Sequence, residues 1–196
     1  MPAPRFQVSI SEPSIARTVY KLSRQIDRYA RANGISEFCV VCVLDGAFMF
    51  CADLVRAMKT PTSIVFAKAR SYNGARRGTL SLARLPERIQ GRPVLVVDTV
   101  YDTGKTIAKV LEELRKRTSQ IVLAILVEKQ GKAAAPPGSA GIETFVGIRV
   151  PGDPFLVGYG LDMGGRFRHW KDIRIYSEPG SPGLPHARGT IRIAPK

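Results

Sequence analysis

The chain has 196 residues, of which 44% are hydrophobic and 23% charged, so it is long enough for one domain with a packed core and too short for two ordinary ones. The formal net charge of +14 favours anionic partners, either nucleic acids or phosphorylated metabolites. The longest apolar runs, Phe38 to Leu44 and Ile121 to Val127, are far shorter than the ~20 residues of a membrane-spanning helix. Residues 1–7 lack the apolar segment of a signal peptide, so we expect a cytoplasmic protein without a membrane span.

The first part of the chain predicts a β-α-β unit. Apolar residues at spacings of three and four predict an amphipathic helix from Glu12 to Ala32. A buried strand from Phe38 to Leu44, a helix from Ala47 to Met58 and a strand from Ser63 to Ala69 follow. Because a helix separates the two strands, we expect them to pair in parallel.

The second part returns to this alternation after an interruption. From Arg70 to Arg92 the periodicity stops, and glycine and polar residues predict a long flexible loop of the kind that forms lids. Beyond it we predict a strand, a helix and three further strands, at Pro93–Val97, Lys105–Arg117, Ile121–Val127, Phe145–Val150 and Phe155–Tyr159. Residues 1–176 form the single domain of this interpretation. Residues 177–196, rich in proline, glycine and basic side chains, form a tail with little stable structure outside 189–193.

This order of elements predicts an α/β fold, an open and mostly parallel sheet with helices on both faces. Such folds bind ligands at the carboxyl ends of their strands. The residues that follow Leu44, Val97 and Val127 are therefore the first candidates for a site. The basic residues, by contrast, are dispersed along the chain and indicate no single binding stripe.

The three cysteines, Cys39, Cys42 and Cys51, cannot all pair with one another. Cys39 and Cys42 have the spacing of a redox or zinc motif, but they lie inside an apolar run, and no second Cys/His pair completes a set of four zinc ligands. We expect buried core thiols in a reducing compartment.

The segment after Val97 has the composition of a phosphate-binding turn. Residues 98–106 are Asp-Thr-Val-Tyr-Asp-Thr-Gly-Lys-Thr and lead into the next predicted helix. Hydroxyl groups, a glycine and the N–H groups of a helix N-terminus suit an anion. The turn differs from the ATP-binding loop, which needs glycine where Thr99 stands. Because a bare phosphate has no use for Asp98 and Asp102, the segment favours a sugar phosphate.

This segment, extended back to Val94, resembles the phosphoribosyl-pyrophosphate signature of the type I phosphoribosyltransferases. The extended segment reads Val94-Leu-Val-Val-Asp-Thr-Val-Tyr-Asp-Thr-Gly-Lys-Thr106. Further segments are similar to the hypoxanthine-guanine branch of that family, namely Val41–Leu54, Arg70–Tyr72, Leu126–Lys129, Phe155–Asp162 and Phe167-Arg168. The similarity runs in register from about Val40 to Tyr176. It implies the type I phosphoribosyltransferase fold, a twisted, mostly parallel sheet flanked by helices, with a small hood region and a flexible lid loop.

The resemblance also implies a reaction of purine salvage, the transfer of ribose 5-phosphate from phosphoribosyl pyrophosphate to a purine nitrogen with release of pyrophosphate. Asp102 would be the catalytic acid or base near the imidazole ring of the purine. Phosphoribosyl pyrophosphate would be held by Asp98, Thr99, Asp102, Thr103, Gly104, Lys105 and Thr106. The implied cofactor is Mg²⁺, with Asp98 and Asp162 as its ligands.

The remaining site residues are implied by the same resemblance. Lys129 would donate to the 6-oxo group of the base, Phe155 would stack on its ring, and Leu156 and Asp162 would complete the base site, the backbone at Leu156 reading the 2-position. Pyrophosphate would contact Asp45, Gly46 and Arg168, and the lid would carry Ser71 and Tyr72. The family also implies a homodimer or tetramer.

The sequence departs from the family pattern at three positions. The family usually has a second acid where Thr99 stands, often lysine where Asp45 stands, and commonly an aromatic residue where Met163 stands. Three functions therefore remain open. One is a transferase for hypoxanthine or guanine, the second a transferase for another acceptor such as xanthine or a base of specialised metabolism. The third is a regulator of the same fold that senses phosphoribosyl pyrophosphate and binds RNA or DNA, favoured by the net charge of +14.

Overall fold

A computed structural model describes residues 5–71, 80–82, 85–131, 139–178 and 192–193 of the chain. In chain order the elements are β1 (Arg5–Ile10), α1 (Glu12–Ala32), β2 (Phe38–Leu44), α2 (Phe48–Ala57), β3 (Thr62–Ser71), β4 (Leu80–Leu82), a 3-10 turn (Glu87–Ile89), β5 (Val94–Tyr101), α3 (Lys105–Arg115), β6 (Ile121–Lys129), β7 (Glu143–Val150), β8 (Phe155–Val157), β9 (Ile173–Ser177) and β10 (Arg192–Ile193). Among the described residues, no helix combines the length and the apolar character that crossing a bilayer would need.

The main sheet has seven strands in the order β10-β7-β6-β5-β2-β3-β4. Its five central strands, from β7 to β3, are parallel, and the short strands β4 and β10 pair antiparallel at the two edges. This arrangement confirms the α/β sheet that the sequence predicts. Since β2 lies between β3 and β5, the connections after β2 and β5 leave the sheet in opposite directions and open a crevice at the carboxyl edge.

Helices cover both faces of this sheet. Alternate residues of β2 point to opposite sides, so Val40 and Cys42 pack in one apolar cluster with α1 and α2. Cys39 and Val41 pack in a second cluster with α3. All three cysteines are buried and free, as the sequence predicts.

A second, smaller sheet of three antiparallel strands has the order β1-β9-β8 and forms the hood region. The sequence analysis missed β1 and β9. Each is short, and each exists because it pairs with a strand far away in the chain, with Arg5 opposite Ser177. No local pattern carries that information.

The bounds of α1 and β2 coincide with the predicted ones. The other five predicted strands differ at one end or both, and two of these differences concern segments with predicted site residues. The predicted strand Pro93–Val97 continues to Tyr101, because Val100 and Tyr101 stay in register with β6. Asp98 and Thr99 thus lie within a strand and not in a turn. The strand expected to end at Tyr159 stops at Val157, because Gly158 and Tyr159 adopt φ values of 96° and 48°, outside the β region.

The expected loop at 70–92 is partly regular. β3 runs to Ser71, where β4 pairs with it, and the 3-10 turn begins at Glu87. Residues 72–79 and 83–84, and therefore Tyr72 of the predicted lid, lie outside the described residues, as do 179–191 and 194–196 of the tail. Within the tail, β10 lies in the segment 189–193 where structure is expected.

Candidate active site

A cavity of about 280 Å³ opens at the carboxyl edge of the main sheet. It brings together predicted site residues from three separate parts of the sequence. Its lining consists of Asp45, Gly46, Val100, Lys129, Phe155, Leu156, Leu161, Asp162 and Arg168. Val100 and Leu161 add apolar surface that the sequence analysis did not anticipate.

The turn between β5 and α3 needs glycine at one position. Gly104 precedes the first residue of α3 and has a φ of 73°, which L-amino acids rarely adopt. A Cβ atom at this position would collide with the ring and hydroxyl of Tyr101, which is 4% exposed. The first backbone N–H groups of α3 have no partner within the helix, so this turn presents donors and the positive end of the helix dipole to an anion. Thr103 and Lys105 are exposed beside it.

Lys129, at the end of β6, lies between two carboxylates. Its ammonium group donates to Oδ1 of Asp153 at 3.0 Å and lies 3.6 Å from Oδ2 of Asp102. The lysine side chain is 10% exposed, so most of its aliphatic stem is buried and its charge is held in place. The sequence analysis missed Asp153, although it stands two residues before Phe155 in a Pro-Gly-Asp-Pro turn.

The two oxygens of Asp102 differ in their surroundings. Oδ2 faces Lys129, whereas Oδ1 is inaccessible to solvent and has no hydrogen-bond partner among the described residues. A buried acceptor without a partner is costly. The side chain as a whole is 39% exposed, so Asp102 can meet a bound molecule through Oδ2 and not through the enclosed Oδ1.

Asp98 and Thr99 lie side by side in β5 and play different parts. Burial raises the pKa of Asp98 to about 7, although hydrogen bonds from the backbone N–H groups of Thr99 and Val100 favour the charged form. Thr99 is fully buried, and its hydroxyl donates to the carbonyl oxygen of Gly46 at 3.0 Å. The threonine that replaces the usual second acid thus contacts the loop after β2.

The loop after β2 places Asp45 between two cations. Its carboxylate lies 3.8 Å from Nζ of Lys68 and 3.9 Å from Nη2 of Arg168. The Leu44–Asp45 peptide is cis. The neighbouring cations offset the negative charge that Asp45 brings to a site otherwise suited to an anion.

Arg168 is anchored on its other side. It donates to the carbonyl oxygen of Gly160 at 2.6 Å and pairs with Oδ1 of Asp162 at 2.9 Å. Gly160 itself packs so closely that a Cβ atom would collide with the carbonyl oxygen of Gly46. The pyrophosphate candidates Gly46 and Arg168 are therefore tied to one another through backbone contacts.

An aromatic side chain forms part of the cavity wall. Phe155 is 49% exposed, and its ring packs edge-on against Tyr176 with the centroids 5.9 Å apart. Leu156, the next residue, is buried. The lid residue Ser71 is the last residue of β3.

Comparison with known proteins places this geometry in context. Residues 9–141 match the model of the phosphoribosyl transferase domain family. The chain is 36% identical over 167 residues to a hypoxanthine phosphoribosyltransferase of Salmonella typhimurium, covering 83% of this chain and 90% of the relative. It is 31% identical over 178 residues to a hypoxanthine-guanine phosphoribosyltransferase of Aquifex aeolicus, covering 89% and 96%.

The fold is similar to solved structures as well. The crystal structure of a hypoxanthine-guanine phosphoribosyltransferase from Bacillus anthracis superposes with a TM-score of 0.73 at 26% identity, over 90% of this chain and all of that one. That of a hypoxanthine phosphoribosyltransferase from Staphylococcus aureus gives a TM-score of 0.75 at 27% identity, over 87% of this chain and 91% of that one.

Proposed function

The chain belongs to the phosphoribosyl transferase domain family, and from that premise we propose that it transfers ribose 5-phosphate from phosphoribosyl pyrophosphate to a 6-oxopurine, hypoxanthine or guanine. The products are the nucleoside monophosphate and pyrophosphate, as in purine salvage. The observation that carries the proposal is the ammonium group of Lys129, held between Asp102 and Asp153 at the edge of a cavity walled by Phe155.

Lys129 explains the choice of base. An ammonium group only donates hydrogen bonds, so it matches the 6-oxo group of hypoxanthine or guanine and opposes the 6-amino group of adenine. The exposed face of Phe155 offers a stacking surface for the purine ring. The backbone around Leu156 would contact the 2-position of the base.

Asp102 is proposed to move the proton of the reaction. As the purine nitrogen forms its bond to C1 of the ribose, the bond from C1 to the pyrophosphate oxygen breaks, and the imidazole ring gives up a proton. The carboxylate of Asp102, which faces Lys129 through Oδ2, is the proposed acceptor for that proton. Lys129, 3.6 Å from Oδ2, would place the 6-oxo group of the base beside this carboxylate.

Phosphoribosyl pyrophosphate would lie across the carboxyl edge of the sheet. Its 5-phosphate would bind the turn around Gly104, and Asp98 would face the ribose hydroxyls. Gly46, through its backbone, and Arg168 would hold the pyrophosphate, whose negative charge grows as it leaves. Thr99 contributes indirectly, through its hydrogen bond to Gly46.

Mg²⁺ fits the donor chemistry of this edge. Asp98 and Asp162 supply carboxylate oxygens, which Mg²⁺ prefers, and Mg²⁺ commonly combines one or two carboxylates with phosphate oxygens of the substrate. When bound, the ion would neutralise charge on the leaving pyrophosphate. The homodimer or tetramer that the family implies stays a prediction.

The test is Mg²⁺-dependent release of pyrophosphate with hypoxanthine, guanine, xanthine or adenine supplied one at a time. Release with hypoxanthine or guanine supports the proposal, and release with xanthine alone would replace it by the second function considered from the sequence. Replacing Asp102 by Asn is expected to lower kcat about 100-fold or more while binding of phosphoribosyl pyrophosphate persists. Asp172→Asn, which removes a carboxylate that pairs with Arg174, serves as the matched control.

A further inference from the structure

The outer face of α1 carries a row of basic side chains. Arg17, Lys21, Arg24, Arg28 and Arg31, here called the basic stripe, follow one another at spacings of four, three, four and three residues. At 3.6 residues per turn this spacing keeps all five within one narrow arc of the helix, over a length of about 21 Å. These residues look dispersed in the sequence, and the helix aligns them.

The basic stripe lies opposite the buried face of α1. Ile15, Val19, Leu22 and Ile26 pack into the core, each at most 4% exposed. Arg17, Arg28 and Arg31 are exposed, and Lys21 and Arg24 are partly exposed. The stripe is therefore the surface that α1 presents outwards.

Acidic residues within α1 neutralise little of this charge. The helix has two acids, Glu12 and Asp27, and neither lies on the stripe. Glu12 is in the first turn, 3.7 Å from Lys171. Asp27 pairs with Arg24 at 3.2 Å but is 4% exposed and also accepts hydrogen bonds from the backbone N–H groups of Lys59 and Thr60.

Helix stability does not account for the stripe. Surface helices gain stability from opposite charges three or four residues apart and lose it from like charges at the same spacing. Arg17 and Lys21, and likewise Arg24 and Arg28, are like-charged at a spacing of four. A row of positively charged side chains is therefore better explained by a negatively charged binding partner.

An aromatic surface adjoins the stripe. Tyr20 is 65% exposed and lies at the edge of the stripe. Arg17 stands three residues before it and Arg24 four residues after it, so these two are its neighbours on the helix surface. Tyr20 also lines a groove of about 410 Å³ whose other residues include Trp170 and Lys171 and two acids, Glu12 and Asp53. Proteins that bind single-stranded nucleic acids combine basic side chains, which contact the phosphates, with aromatic side chains, on which the bases stack.

We propose that the basic stripe and Tyr20 form a binding surface for single-stranded nucleic acid, with phosphates along the stripe and a base stacked on the Tyr20 ring. An anionic membrane fits less well, because the apolar face of α1 is buried in the core and cannot insert into lipid. This surface is on the opposite side of the main sheet from α3, where the phosphate-binding turn lies.

The experiment uses the full chain and a fluorescent 20-nucleotide single strand, as poly(U) and as poly(dT), in anisotropy titrations over a range of salt concentrations. We expect binding at low micromolar protein in 50 mM salt. The slope of log K against log salt should be about −3.5 if five phosphates are contacted. Replacing Arg17, Lys21 and Arg28 together by Gln should weaken binding at least 10-fold and reduce the slope by about 2.

The matched control is Arg115, Lys116 and Arg117 replaced together by Gln, which removes the same charge from the far face of the sheet. It should retain most of the affinity, and Tyr20→Ala should weaken binding several-fold with little change in slope, because stacking releases no counterions. Unchanged thermal unfolding and pyrophosphate release show that each variant is folded. Absence of binding at 50 mM salt, equal losses in both triple variants, or binding to phosphatidylglycerol vesicles in place of the oligonucleotides would overturn the proposal.

Discussion

The hydroxyl of Thr99 donates a hydrogen bond to the carbonyl oxygen of Gly46, 53 positions earlier in the chain and 3.0 Å away. This bond joins β5, which carries Asp98, to the loop after β2. Gly160 packs against the same carbonyl oxygen from the other side. Thr99, one of the three positions at which the sequence departs from the expected family pattern, therefore contacts the loop proposed to bind pyrophosphate.

Replacing Thr99 by Val keeps the shape of the side chain and removes this bond. A partly buried carbonyl oxygen that loses its donor costs about 1 kcal/mol, so we expect a lower Tm and a KM for phosphoribosyl pyrophosphate raised about 3- to 10-fold. Steady-state kinetics and thermal unfolding measure both. Thr99→Ser, which keeps the hydroxyl, should stay near the parent, and an unchanged KM in the Val variant would show that the bond does not position the loop.

Asp153 is expected to position Lys129. Asp153→Asn keeps the size of the side chain but removes one of the two carboxylates that hold the ammonium group. Because the carboxylate is 34% exposed, the loss should be modest, about 1 kcal/mol or 3- to 10-fold. The expected signature is a raised KM for the purine with little change in the KM for phosphoribosyl pyrophosphate. An equal rise in both constants would indicate a general structural role.

Gly104→Ala tests the phosphate-binding turn. The added Cβ atom would collide with the side chain of Tyr101, and the alanine would have to adopt a φ of 73°, which is unfavourable for an L-amino acid. We expect the dissociation constant of phosphoribosyl pyrophosphate to rise at least 10-fold. Gly91→Ala is the control, since Gly91 has a φ of 69° with nothing within 4 Å of the new Cβ, and it should cost only about 1 kcal/mol of stability. Equal binding by the two variants would contradict the proposed turn.

Asp98 should make the metal-free protein less stable as the pH rises. Burial disfavours the charged form and raises its pKa from the ordinary 3.8 of an aspartate to about 7 in the folded chain. The folded state therefore holds a proton that the unfolded state releases between about pH 4 and 7, and the free energy of unfolding contributed by this group falls over that window.

Asp98→Asn removes this contribution. Denaturant unfolding in EDTA at pH 4.5 and pH 8 should show that the variant gains stability relative to the parent as the pH rises. Asp172→Asn, at a partly exposed ion pair, should show no such gain. The same pH dependence in Asp98→Asn and the parent would mean that the carboxyl titrates near its ordinary pKa.

The sequence by itself determined the features that depend on neighbours a few residues apart. The apolar spacing of α1 and the unbroken apolar run of β2 gave the observed bounds, since a helix face and a buried strand are local patterns. The segment 98–106 predicted a glycine-containing turn at the start of a helix, which the structure has at Gly104, because such a turn is also a local property. Each of these elements would be recognised in isolation.

The tertiary structure decided the pairings between distant segments. Strand β1 forms because it pairs with β9, and β5 continues to Tyr101 because it pairs with β6. Each pairing joins backbone groups that are distant in the chain. The contacts of Thr99 with Gly46 and of Lys129 with Asp153 likewise depend on how the loops meet at the carboxyl edge. Such contacts produce no periodic pattern in the sequence, because they depend on the distance between groups in space and not on the spacing of residues along the chain.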